Sequence, residues 1–164
     1  MEAGQGNGYG GQSRPAQTDP MATLNECSAV REGVNALEQY LTRSRVLQQQ
    51  SLNDPDTSAE TRTNRELNSI DADSRTLRAN LAGRIQRLKG KNDYEQYRSQ
   101  ILSVERSMND ILQKTLAADS EYRKKMIEQN ARQIRIVEPG LSDEEIWEKA
   151  EDTSQLKTFA DKVS

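Results

Sequence analysis

The sequence predicts an all-α protein: an antiparallel three-helix bundle with a long third helix and a Gly-rich N-terminal tail. Three observations carry that expectation. Apolar residues recur at alternating spacings of three and four along three long stretches, the period of a helix with one buried stripe. Capping boxes and N-cap residues stand at the heads of those stretches. No strand-like alternation of useful length occurs. Composition agrees with long helices carrying narrow seams. Of 164 residues only 33% are hydrophobic, mean hydropathy is −0.96, and 23 basic residues nearly balance 26 acidic ones.

Residues 1–20 hold most of the nine Gly and two of the four Pro, and no Leu, Ile, Val or Phe. They read as a disordered tail. The first helix is expected over about 23–53. Thr23-Leu24-Asn25-Glu26 forms a capping box at its head, with Asp19-Pro20 as an alternative start. Its stripe runs Cys27, Val30, Val34, Leu37, Leu41, Ser44, and Pro55 ends it by disfavouring helix at Asp54. The second helix is expected over 58–89, behind the box Thr57-Ser58-Ala59-Glu60. Its polar first turns are expected to fray. Its stripe reads Leu67, Ile70, Ser74, Leu77, Leu81, Ile85, Leu88, and Gly90 closes it after a basic last turn.

Asn92, with Glu95 three residues on, is the N-cap candidate of the third helix, expected over 92–137. A loop that short folds helices two and three back antiparallel. The third stripe reads Tyr94, Tyr97, Ile101, Val104, Met108, Ile111, Thr115, Ala118, Tyr122, Met126, and nothing breaks it before Pro139-Gly140. A seven-residue period in the seams predicts left-handed coiled-coil contact. Residues 138–164 read as an acidic linker with a short helix, capped by Ser142-Asp143-Glu144-Glu145.

Several functions fall away. With no His there is no Ser-His-Asp relay and no His-containing zinc set. Cys27 stands alone, so an internal disulfide is impossible and a reducing compartment is expected. No apolar run approaches a membrane span, and residues 1–12 carry no secretory signal. A pI near 5.2 offers no general attraction for nucleic acid. The acidic run Asp143–Asp152 lacks the spacing and central Gly of a calcium loop. The basic clusters Arg123-Lys124-Lys125 and Arg84, Arg87, Lys89 read as solvated helix faces, and the Tyr residues on the stripe as core. No enzyme, cofactor, metal or small-molecule substrate is expected.

One pattern exceeds what a closed bundle uses. Helix three carries Leu102, Leu112, Leu116, Ile127 and Ile136 outside its main seam. A second seam on so long a helix predicts a groove for a further helix, supplied in cis or by a partner.

The order of elements resembles the N-terminal Habc domain of syntaxins, the Q-type target-membrane SNAREs. The sharpest match is Tyr122-Arg123-Lys124-Lys125, then Ala131-Arg132-Gln133-Ile134-Arg135-Ile136-Val137, Pro139, and Ser142-Asp143-Glu144-Glu145-Ile146. It is similar to the end of the third helix and the linker of plasma-membrane syntaxins, fungal ones especially. The resemblance spans about residues 22–150. It implies a regulatory domain in vesicle fusion and exocytosis that does no chemistry. Such a domain folds onto a SNARE helix, slows SNARE complex assembly and engages Sec/Munc-family regulators. The family's groove between helices two and three maps to Arg84, Leu102, Leu112, Leu116 and Ile127. The family works at the cytoplasmic face of the plasma membrane; this chain alone is expected to be soluble and cytoplasmic. The SNARE heptad array and C-terminal anchor are missing from these residues, so a fragment, a shortened form or an altered gene model is expected. An amphipathic membrane-surface protein and a structural coiled-coil spacer are the alternatives.

Overall fold

The computed structural model describes residues 21–58 and 60–163, with side chains through residue 154. Among them are four helices and no strand: α1 (Ala22–Asn53), α2 (Arg62–Lys89), α3 (Arg98–Val137) and α4 (Asp143–Val163). The all-α expectation holds. The count differs, because the helix expected to be short in the acidic linker runs for 21 residues. The reading of residues 1–20 as a tail lies outside the described residues.

Cross-links between side chains give the helix directions. Glu26 of α1 meets Arg84 near the end of α2, and Arg43 of α1 meets Glu66 near its start, so the two run antiparallel. Gln48 and Ser51 of α1 meet Asp119 and Tyr122 of α3, while Thr23 meets Asp93 just before it, so α1 and α3 run parallel. Asn130–Ser154 and Glu138–Lys149 set α4 antiparallel to the far half of α3. α1 packs broadly on both α2 and α3, whereas α2 and α3 touch each other least of the three pairs.

Most apolar burial falls into two clusters, with the buried Leu47, Ala118 and Met126 lying outside both. The larger joins Cys27, Val30, Val34 and Leu37 of α1 to Leu81, Ile85 and Leu88 of α2 and to Ile101, Val104, Met108 and Ile111 of α3. The smaller joins Ile127 and Ala131 of α3 to Ile146 and Ala150 of α4. Between them lies a layer of polar links. Ser51 Oγ donates to Asn64 Oδ1 and accepts from the Tyr122 hydroxyl, Gln48 donates to Asp119, and Gln129 donates to the Leu52 carbonyl. The seam positions Ser44, Ser74 and Thr115 are half-buried. Gly33 brings α1 close to α2: a Cβ there would lie 2.5 Å from Leu81 Cδ2. The missing side chain makes the slot that Leu81 fills.

Of the four expected helix caps, one is overridden by tertiary partners and two helix starts shift. Helix α1 begins at Ala22 behind Met21, and the Thr23–Glu26 box does not form. Thr23 is buried and donates to Asp93 Oδ2 at 2.7 Å, while Glu26 takes Arg84. The hydroxyl–carboxylate bond and the bidentate ion pair draw both side chains away from the local box. Helix α2 starts at Arg62, not 58, because Thr61 supplies the cap oxygen to the Asn64 N–H. Asn64 is buried and tied to Ser51 and the Ser58 carbonyl, which anchors the helix start there. Helix α3 starts at Arg98 rather than Asn92; residues 91–97 close tight turns such as Tyr94 N–H to Lys91 O and Gln96 N–H to Asp93 O. The fourth box forms as expected, with Ser142 N–H on Glu145 Oε1 and Glu145 N–H on Ser142 Oγ.

Candidate interaction site: the furrow beside helix α3

The expected groove residues divide into three groups. Leu102, Leu112 and Leu116 share the flank of α3 that carries Glu105, since Leu102 precedes it by three residues and Leu112 and Leu116 follow it by seven and eleven. Glu105 reaches Lys89 of α2 at 2.9 Å, so this flank faces α2. Leu112 leans on the main core and Leu102 is half-buried. Leu116 is 63% exposed. Across the gap, Leu67 and Ile70 of α2 are half-buried and belong to neither apolar cluster. α2 and α3 have the least contact of the three pairs, so the strip between them is the candidate furrow, and Leu116 stands open on its α3 side.

Ile127 is not open. It is 8% exposed, sealed by Ile146 and Ala150 of α4. The far end of the same flank is therefore occupied in cis. α4 also contacts α2, so it bridges the two walls. Ser120 and Arg123 separate the covered stretch from Leu116. Arg84 sits outside the furrow, on the α1 side of α2. Its Nε and Nη2 bind both oxygens of Glu26 at 2.8 and 2.7 Å. The guanidinium holds the Glu26 carboxyl below the usual carboxylate range. The pair therefore supports the fold at neutral pH and loses that support as pH falls through the depressed value. The syntaxin resemblance maps Arg84 to the groove; the carboxylate on α1 turns it the other way. Lys89 is the basic residue of α2 that reaches α3.

Asp119 shows the opposite electrostatics. Burial of its carboxyl pushes its pKa up, Gln48 opposes the shift by hydrogen bonding, and the charge of Asp71 on α2 adds to the rise. A carboxylate with a raised folded pKa opposes folding while charged and ceases to do so as pH falls through that value. Asp119→Asn keeps an acceptor for Gln48 and removes the charge. It is expected to stabilise the protein at pH 7 by about 0.5 kcal/mol, a modest figure because solvent still reaches the residue. The gain should vanish in denaturant melts repeated near pH 3.

Sequence reasoning missed Asp119, Gln48 and the reach of α4. The signal for α4 was present: Ile146, Ala150 and Ser154, spaced by four, form a narrow stripe, and all three are buried. Ile136 and Val137, by contrast, are each 74% exposed at the end of α3. Among the described residues no helix is long and apolar enough to cross a membrane, and no group of three Cys, Asp or Glu is placed to hold a metal ion. No protein-family model matches this chain, and no curated protein matches it.

Proposed function

We propose that this chain is a regulatory interaction domain of the syntaxin type, in which α1–α3 form the antiparallel three-helix bundle and a SNARE helix lies in the α2–α3 furrow. The observation that supports this reading is the flank of α3 from Leu102 to Ile134. It carries more apolar side chains than α1 and α2 cover, its far end is already filled by a helix of the same chain, and its middle leaves Leu116 open. A helix that follows α4, or one from another SNARE, continues along that flank. The mechanism is occlusion: a SNARE helix held in the furrow is withdrawn from assembly. A regulator of the Sec/Munc type that binds the closed arrangement better shifts the population toward it.

Binding of a separate syntaxin SNARE segment, read by isothermal titration, tests the proposal. Leu116→Asp is expected to weaken that binding at least tenfold. Its own stability should change by no more than about 0.5 kcal/mol, since the side chain is exposed. A folded wild-type chain that binds neither the SNARE segment nor a Sec/Munc protein would overturn the reading.

A further inference from the structure

Between the end of α3 and the first turns of α4 lies an open groove of about 610 Å³. Its apolar element is Trp147, 41% exposed and the single Trp of the chain. Its rim carries Asp143, Glu144, Glu148, Glu151 and Asp152. Among the described residues the one cation lining it is Arg135 at the end of α3, which spans 3.5 Å to Asp143. Lys149, the other nearby base, is held by Glu138 and does not line the groove.

The arrangement departs from an ordinary solvated helix face in two ways. Ile146 and Ala150 already supply the contact that docks α4, so the indole is not needed for docking. An aromatic left partly open costs apolar exposure, and aromatic side chains with one wet face are characteristic of contact surfaces. Among the described residues, four carboxylates of the groove have no basic partner in it; all lie within ten residues of one helix and repel one another until a cation is brought in. Carboxylates around an indole face match a chain segment bearing Lys or Arg: the acids take the charges, and the ring takes a cation or an alkyl stem.

We propose that the Trp147 groove is a docking site for a basic segment of a partner protein, one with several Lys or Arg residues around an apolar anchor. Charge complementarity selects this occupant over a second copy of the chain, whose own surface is net acidic, and over an anionic membrane. The site is independent of the α2–α3 furrow, so it stands whether or not a SNARE helix binds there.

Because Trp147 is the sole Trp, its fluorescence reports this groove alone. The probe is a synthetic Lys/Leu amphipathic peptide, with a Glu/Leu peptide of the same pattern as control. The expected result is a saturable change in Trp147 emission with the basic peptide only. Its affinity should fall at least tenfold between low salt and 0.5 M salt. It should fall comparably in the double variant Glu148→Lys, Glu151→Lys, whose circular dichroism shows it to be folded. An equal response in the charge-reversed variant, a response to both peptides, or none would overturn the proposal. So would an emission change that follows self-association in sedimentation without peptide, or one produced by anionic phosphatidylserine vesicles alone.

Discussion

Leu81→Ala is expected to destabilise the protein by about 3 kcal/mol, within the range of roughly 2–5 found for buried Leu truncations. Leu81 is completely buried, and it occupies the slot left by Gly33 on α1. Truncation leaves a cavity bounded by two long helices that cannot close without losing the Glu26–Arg84 and Arg43–Glu66 pairs on either side. The slot makes a second, sharper expectation. Gly33→Ala alone should cost about 1–3 kcal/mol through overpacking, although Ala favours helix by about 1 kcal/mol. In the Leu81→Ala background the overlap is gone, and the same change should become neutral or stabilising. Urea melts of the four proteins by circular dichroism check this. Additive effects, with no change of sign, would show that Gly33 and Leu81 do not meet.

Ile146→Asp is expected to release α4 without unfolding the rest. The side chain is 3% exposed and centres a cluster in which two of the four buried members are Ala. A carboxylate there has no partner, and the small apolar area around it cannot compensate for desolvating a charge. Helicity at 222 nm should drop by no more than one helix in four contributes. Trp147 emission should move to the red, and the main unfolding transition should stay within about 0.5 kcal/mol of wild type. The separation of the two apolar clusters by the Gln48–Asp119 and Ser51–Asn64–Tyr122 links is what allows this independence. A variant that loses the main transition as well would show the clusters to be one cooperative unit.

How much of this was legible follows from the range of each signal. The stripe of α1 was read residue by residue, and Cys27, Val30, Val34 and Leu37 are all in the core. The breaks near Pro55 and Pro139 end α1 and α3 where expected. Proline acts through local sterics, so nothing distant can alter it. The caps fared differently. Ser142–Glu145 formed because both groups face solvent with no stronger claimant. Thr23–Glu26 did not, since Asp93 and Arg84 arrive from residues 58 and more positions away. The candidate furrow was legible in part. The surplus of apolar residues on α3 could be counted. Which of them another element covers could not, because Leu116 and Ile127 stand on the same flank and only the return of α4 separates them.

The sequence by itself determined that the chain is helical, where α1, α2 and α3 stop, and which face of α1 turns inward. These properties depend on backbone sterics and on a period of 3.6 residues, both set within a few residues of any position. The tertiary structure decided which oxygen caps α2, that Arg84 serves α1, that α4 seals Ile127, and that Leu116 and Trp147 stay open. Each of those outcomes is a competition among partners brought together by helix crossing and charge pairing, and a linear pattern does not say which partners will meet.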